Sequence, residues 1–350
     1  MQDLRAFRKP GLKVKRQLLM AMVAVLMAIV PVSAEAADFK GKQVKVLIGF
    51  GPGGGYDQYG RLIAMHIGRH LPGNPAVTPQ NIPGGGSLVV AQKIYAQSPK
   101  DGTEWGIVAR DLITAPLTQP SMRSQFDGTK FSWLGSPDSE TNLCIANATS
   151  GITSAQDLLN KQLLVAATGY GSGSYVYPTV LNGLVGTKFK VVTGYPSAVE
   201  AFLAMERREV EGACDSYSSI VRKSGQAIKE GKIRVLFWAG TPIPEVKDLP
   251  HVTSLVTKPE DQQLLEFMYA TQTFARPFIA PPGLPSPIYT TLKNAFAAML
   301  RDPQTLADAA RQNMEIRPAS AEETLEMVRK VYATPQTLVD RMSALLKAGR

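Results

Sequence analysis

Three glycine-rich loops contain the residues of this chain best suited to bind a ligand. The first, Gly49–Asp57, follows a run of strand-forming residues, Val44–Ile48, and leads directly into a helical pattern. Similar loops precede helical patterns at Asn81–Ser87 and Thr168–Ser174. Glycine has no Cβ, so the main chain can approach a ligand closely, and the start of a helix offers unpaired N–H donors and the positive end of its dipole. The three loops together predict a pocket for a small anion.

The first 36 residues have the three parts of a secretory signal peptide. Basic residues precede an uncharged apolar run, Leu18–Val30, and Ala34–Ala36 fits a small-x-small cleavage rule. The apolar run is shorter than the roughly 20 residues of a membrane span. We therefore expect export, cleavage after Ala36 and a mature chain that is soluble in the periplasm.

The charge pattern does not indicate a nucleic-acid partner. The whole chain has a net charge of +9, but part of this excess lies in the signal peptide. After residue 36 there is no Lys/Arg run with interleaved aromatic residues, so we expect no nucleic-acid binding.

Strands alternate with helices along the mature chain, which predicts parallel, doubly wound α/β sheets. The chain is longer than one compact domain usually is, and the pattern restarts after Phe131, so we expect two lobes. Crossovers near Gly135 and Gly240 would form a hinge, with the pocket between the lobes. The predicted division is a signal peptide over 1–36, lobe 1 over 37–136, lobe 2 over 137–238, and a return to lobe 1 with C-terminal helices over 239–350.

The chain has two cysteines, Cys144 and Cys214, in separate strand-like runs. In an oxidising compartment such a pair predicts one disulfide, and two buried thiols are the alternative.

Two motifs suggest other chemistry. Gly49, Gly51 and Gly54 have the spacing of a dinucleotide-binding loop, but Pro52 interrupts the turn and no acid ends the second strand. We therefore expect no nucleotide cofactor.

His66 and His70 stand one helical turn apart, which is a metal-ligand spacing. Ile67 stands where a zinc protease would have glutamate, so we interpret the pair as a solvated helix face and expect no metal site. Nothing in the sequence demands a catalytic triad, and we expect no enzymatic activity. An exported hydrolase and an adhesion module are the competing functions.

Asp57 follows the glycines at the start of the first predicted helix. One interpretation is that its negative charge stabilises the helix N-terminus. The other is that it contacts the ligand and selects the chemical group next to the ligand's carboxylate.

Several short motifs together resemble those of the solute-binding receptors of tripartite tricarboxylate transporters, the Bug family. The similarity covers essentially the whole mature chain. The motifs are Gly51–Asp57 with Arg61 and Leu62 after it, Asn81–Gly86, Pro99–Gly102, Gly194–Ala198, Val210–Ser216 and Ala280–Pro285.

The resemblance implies a two-lobed, type II periplasmic-binding-protein (Venus-flytrap) fold. It also implies a monomeric receptor that captures a small carboxylate in the interlobe cleft and delivers it to the integral-membrane permease subunits of a secondary transporter. In the family, backbone amides and ordered waters at the first two glycine loops hold the carboxylate. The ligand-binding residues implied here are Gly53, Gly54, Gly55, Tyr56, Asp57, Gly85, Gly86 and Ser87 from one lobe, with Thr168, Ser172, Ser174, Ser197 and Asp215 from the other.

The sequence departs from the family pattern at Tyr56, at the loop 170–174 and at the pair Arg110 and Asp111, so the identity of the carboxylate stays open. Tyrosines in or beside the pocket loops suggest a planar or ring-bearing ligand, and ordinary packing is the alternative. These tyrosines are Tyr56, Tyr170, Tyr175, Tyr195 and Tyr217.

Overall fold

A computed structural model of the chain describes residues 37–118 and 125–348. The predicted signal peptide over 1–36 lies outside the described residues. Within them, the strands form two five-stranded sheets, each flanked by helices. The predicted two-lobed α/β architecture is confirmed.

The first sheet has the strand order β2-β1-β3-β10-β4. Strand β1 runs parallel to β2 and β3, whereas β10 is antiparallel to β3 and β4. The sheet is therefore mixed rather than wholly parallel, because β10 enters it from the other lobe and not through a crossover helix. The strands are β1 (Gln43–Ile48), β2 (Ala76–Asn81), β3 (Glu104–Ile107), β4 (Ser132–Gly135) and β10 (Phe278–Ala280).

The second sheet has the order β7-β6-β8-β5-β9, with β5 antiparallel to β8 and β9. Cys144 in β5 lies opposite Cys214 in β8, with their Cα atoms 4.1 Å apart. The predicted disulfide between them is confirmed. The strands are β5 (Thr141–Asn147), β6 (Leu163–Ala167), β7 (Phe189–Thr193), β8 (Gly212–Ser216) and β9 (Ile233–Gly240).

The helices of the described residues cover both sheets, and none of them is long and apolar enough to cross a membrane. Helices α6 and α7 were not indicated by the sequence patterns. The helices are α1 (Gly55–Ile67), α2 (Leu88–Ala96), α3 (Ala115–Thr118), α4 (Gly173–Val185), α5 (Ala198–Glu206), α6 (Tyr217–Lys229), α7 (Pro259–Tyr269), α8 (Ser286–Met299), α9 (Pro303–Arg311), α10 (Ala321–Tyr332) and α11 (Gln336–Ala348).

The chain leaves the first sheet after β4 and the second sheet after β9, and each of these strands ends in a glycine. Gly135 at the end of β4 and Gly240 at the end of β9 have φ values of +117° and +92°, which side chains with a Cβ disfavour. The final helix α11 packs against α4 of the second lobe, where Leu345 lies over Gly183. The C-terminal segment therefore contacts both lobes.

Each lobe buries apolar side chains between its sheet and its helices. Trp105 and Leu62 belong to the core of the first lobe, and Ile145 and Phe202 to that of the second. A further apolar cluster contains residues of both lobes.

Candidate functional site

A cavity of about 40 Å³ lies between the lobes, beside the glycine loops. This volume holds a few water molecules at most. A ligand of several heavy atoms therefore requires the lobes to separate or the lining to shift.

The lobes touch through their main chains at the glycine loops. The Gly51 N–H donates to the Pro196 carbonyl at 2.9 Å. A Cβ on Gly86 would lie 2.9 Å from the backbone nitrogen of Ser172 in the other lobe. Such close approach is possible because Gly51 and Gly86 have no Cβ.

Three helices begin at the cavity wall. Gly54 and Ser172, which precede α1 and α4, make no side-chain cap, and Ser197 caps α5 through the Val199 N–H. Several N–H groups of these first turns have no acceptor among the described residues, so their donors and helix dipoles can stabilise an anion. They belong to Gly55, Tyr56, Gly173, Ser174 and Ala198.

Most of the predicted ligand-binding residues line this cavity. They are Gly54, Gly55, Tyr56, Thr168, Ser172, Ser174, Ser197 and Asp215. Gly53, Asp57, Gly85, Gly86 and Ser87 are not part of its lining.

Asp57 holds the first glycine loop in place instead. It is buried, and its carboxylate accepts from the Gly53 N–H at 2.7 Å and from the Asn81 side chain at 2.7 Å. Arg61 pairs with it at 2.9 Å. These contacts support the interpretation of Asp57 as an acid at the helix N-terminus, and Asp57 is not part of the cavity lining.

Ser87 anchors the second glycine loop. Its hydroxyl accepts from the Ala109 N–H at 2.7 Å, and its Cβ lies so near Gly49 that a Cβ on Gly49 would be 2.2 Å away. Gly85 and Gly86 have positive φ values and pack on the loop of the other lobe. This loop therefore contacts the other lobe and does not line the cavity.

Part of the cavity lining is charged, and its two arginines were not among the residues predicted to bind the ligand. Arg276 is 1% exposed, and its Nη2 lies 2.6 Å from Oε2 of Glu140. The same nitrogen donates to the hydroxyls of Ser216 at 3.0 Å and Ser218 at 3.3 Å. Arg276 thus ties the segment before β10 to the second lobe.

Arg110 is the second buried guanidinium of the lining. It lies three residues after the end of β3, at the same sheet edge as the first two loops, and its Nε lies 3.7 Å from Oδ2 of Asp111. Asp111 is held from its other oxygen by the hydroxyls of Tyr177 at 2.6 Å and Thr271 at 2.8 Å.

Asp215 is the remaining carboxyl of the lining. Burial raises the pKa of Asp215, although the Ser216 N–H at 2.6 Å and the Arg276 and Arg110 guanidiniums act in the opposite direction. Asp215 was implied by the family resemblance, and the position of Arg110 shortly after β3 is a signal that could have found it. Arg276 follows no motif that could have found it.

The structure places only Tyr56 of the five proposed tyrosines in the cavity lining. Phe50 stacks on its ring at 4.4 Å, and the Arg276 guanidinium lies over the ring at 4.6 Å. Phe50 occupies one face of the Tyr56 ring, so the guanidinium covers the opposite face. Tyr56 therefore offers no free face to a ligand ring. The other four, Tyr170, Tyr175, Tyr195 and Tyr217, lie outside the lining.

The predicted solvated face at His66 is wrong. His66 is buried, and its Nε2 lies 2.8 Å from the Asp308 carboxylate because α9 covers this side of α1. Within the described residues, no group of three His, Cys, Asp or Glu side chains could hold a metal ion.

Comparisons with known proteins agree with this geometry. No family model matches the chain. A UPF0065 protein of Bordetella bronchiseptica is 23% identical over 326 residues, which are 90% of this chain and 89% of that protein. The periplasmic binding protein BugD superposes with a TM-score of 0.66 at 20% identity, covering 88% of this chain and 97% of its own.

Two structures from Rhodopseudomonas palustris contain ligands. MatC with bound malate has a TM-score of 0.67 at 20% identity, covering 85% of this chain and 98% of its own. A second protein, with adipate, has a TM-score of 0.67 at 19% identity, covering 87% and 98%. The chain has the two-lobed fold of periplasmic binding proteins. More particularly, its neighbours include Bug-type proteins, so the predicted resemblance is confirmed at the level of the fold.

Proposed function

We propose that this chain is an extracytoplasmic solute-binding protein that captures a small carboxylate between its lobes. The observation that supports this function best is the convergence of three helix N-termini, with unpaired N–H donors, on one interlobe cavity. The malate and adipate in the structural neighbours support the same ligand class.

The partner that fits this function is the permease of a tripartite tricarboxylate-type secondary transporter, to which a monomeric receptor would deliver its ligand. The mature protein would begin near Ala37 in the periplasm. Mass spectrometry of exported protein checks this start, and an intact Met1 on periplasmic material would contradict it.

A thermal-shift screen of refolded protein tests the function. The probes are aliphatic mono-, di- and tricarboxylates and aromatic acids, with the primary amide of each acid as its matched control. A ligand that binds only the folded state adds about 2.7 kcal/mol of stability at 100 times its Kd, so the acid should raise Tm by several degrees and the amide should not. No shift with any acid, together with turnover on ester or amide panels, would favour the exported hydrolase instead.

A further inference from the structure

Asp215, near the end of β8, is a carboxyl of the cavity lining that has no cationic partner within the described residues. It forms no ion pair there, and its only hydrogen-bond donor is the Ser216 N–H, 2.6 Å from Oδ1, so Oδ2 has no donor. Unlike Asp111 and Glu140, Asp215 is only partly buried, so a group in the cavity can reach it. A carboxylate in this position gains free energy from a bound donor, and most from a cationic one.

The two arginines of the lining do not serve as that partner. Arg276 already pairs with Glu140 at 2.6 Å, and Nε of Arg110 lies 3.7 Å from Oδ2 of Asp111. Nε of each arginine has no hydrogen-bond partner among the described residues, but both atoms are buried and are not exposed to the cavity. Two guanidiniums therefore lie beside three carboxyls. When all three are ionised, Asp215 carries the charge that is not balanced.

The second sheet places Asp215 beside one of the helix starts that can hold an anion. Strands β6 and β8 are parallel neighbours, with Ala166 opposite Ala213. The loop that begins at Thr168 and leads into α4 is therefore level with Asp215, one strand away, and Thr168 and Asp215 both line the cavity. Adjacent strands lie about 4.8 Å apart. A carboxylate at the start of α4 and a group that contacts Asp215 can therefore belong to one small ligand.

We infer that Asp215 binds an ammonium group of the ligand, and that the protein therefore prefers amino monocarboxylates to acids that lack an amine. This inference rests on the proposed function, because the carboxylate of the ligand takes the helix N-termini. An ammonium group donates to Oδ2 and balances the charge of Asp215, whereas a hydroxyl donates without balancing it. A bound metal ion does not fit this role, since no group of three His, Cys, Asp or Glu side chains in the described part of the chain could hold one.

Calorimetry with matched ligands tests the inference. The probes are glycine, L-alanine and β-alanine, each paired with the acid in which a hydroxyl replaces the amine, namely glycolate, L-lactate and 3-hydroxypropionate. At neutral pH at least one amino acid should bind about 10–100-fold more tightly than its hydroxy acid, which is the range for a charge-assisted hydrogen bond. Malonate has a carboxylate in place of the ammonium-bearing carbon of β-alanine, and it should bind more weakly than β-alanine.

Asp215→Asn isolates the charge. The amide oxygen can still accept from the Ser216 N–H, and the variant loses a carboxylate that has no cationic partner, so it should fold and keep its Tm. Amino acids should bind to it about 10–100-fold more weakly than to wild type, whereas hydroxy acids should bind at least as tightly. Asp340→Asn, at an exposed aspartate of α11 outside the cavity lining, should leave both affinities within about twofold of wild type.

Equal affinity for the amino and hydroxy acids in all three pairs would overturn the inference, as would tighter binding of malonate than of β-alanine. An amino-acid preference that persists in Asp215→Asn would also overturn it, because the ammonium group would then bind elsewhere. In each of these cases carboxylate binding remains, and the proposed function stands. Absence of binding by every carboxylate of this set and of the thermal-shift screen would contradict the proposed function itself.

Discussion

The interlobe cavity is lined by two adjoining sets of groups, which we call the backbone end and the charged end, and a Cβ on Gly55 of the first set would lie 2.8 Å from Nη2 of Arg276 in the second. At one end, Gly55, Gly173 and Ala198 present backbone donors at the starts of three helices, and no ionised side chain is needed. At the other end, Arg110 and Arg276 face the cavity among buried carboxyls. The first end can accept any carboxylate, because backbone N–H groups read only the anion. The second end has the charge and geometry to discriminate between ligands.

The largest expected effect concerns the stability of the charged end. In Glu140→Gln the Arg276 guanidinium stays buried without its carboxylate, so the free energy of unfolding should fall by about 3–5 kcal/mol. Urea denaturation measures the change. Lys232→Gln, which removes the exposed partner of Glu230, is the matched control and should have no measurable effect. A Glu140→Gln protein as stable as wild type would show that the charged end does not depend on this ion pair.

The next effect concerns the backbone end. Gly86 has φ of +67°, and a Cβ there would press on the Ser172 nitrogen across the cleft. Gly86→Val should therefore hold the lobes apart and weaken carboxylate binding at least ~10–100-fold in calorimetry.

Gly54→Ala is the control for Gly86→Val. Gly54 has φ of −77° in the extended region, and its nearest neighbour for a Cβ is Ser197 Cβ at 3.5 Å. A larger residue such as valine would reduce binding there by pressing on Ser197 across the cleft, and not by straining the backbone. The alanine variant should change affinity less than about threefold. If Gly86→Val binds as wild type does, lobe closure at this loop is not required.

The sequence allowed the backbone end to be predicted because its signal is local. A strand, a glycine run and a helix are consecutive in the chain. Because the loops follow the carboxyl ends of parallel strands, they meet at the same edge of the sheet. That is why Gly54, Thr168 and Ser172 were predicted and do line the cavity.

The charged end could not be predicted in the same way. Arg276 meets Ser216, 60 residues away in sequence, only because β10 returns to the first sheet beside the second lobe. No residue type or spacing near Arg276 predicts its contact with Ser216. The position of Asp57 allowed both a role at the helix start and a ligand contact, and the structure pairs it with Gly53, Arg61 and Asn81.

A smaller effect should appear in the pH dependence of binding. Burial raises the pKa of Asp215, which faces Arg110 and Arg276 with Glu140 nearby, so its protonation begins at higher pH than for an exposed aspartate. The ionised form repels a bound carboxylate ligand and the protonated form does not. Affinity for a diacid should therefore rise about 3–10-fold from about pH 8 to about pH 5.

Asp215→Asn separates this effect from titration of the ligand itself. The variant should bind the diacid more tightly than wild type at the higher pH, and its affinity should change less with pH. A wild-type profile that is flat, or that weakens on acidification while Asp215→Asn is unchanged, would remove Asp215 from the charged end.

The smallest effect is expected at Asp57, and it tests whether the backbone end depends on side-chain charge at all. In Asp57→Asn the amide oxygen can still accept from the Gly53 N–H. The oxygen that accepts from the Asn81 side chain and pairs with Arg61, which is about half exposed, is replaced by an NH2 donor. Stability should fall by about 1–2 kcal/mol in urea denaturation. Because Asp57 does not line the cavity, the ratio of affinities for hydroxy-, amino- and unsubstituted carboxylates should stay within about twofold of wild type. Arg61→Gln, which removes the same ion pair from its other side, should reproduce the small loss of stability. A selectivity change in Asp57→Asn that Arg61→Gln does not share would return Asp57 to the ligand site, and the glycine-loop end would then discriminate between ligands as well.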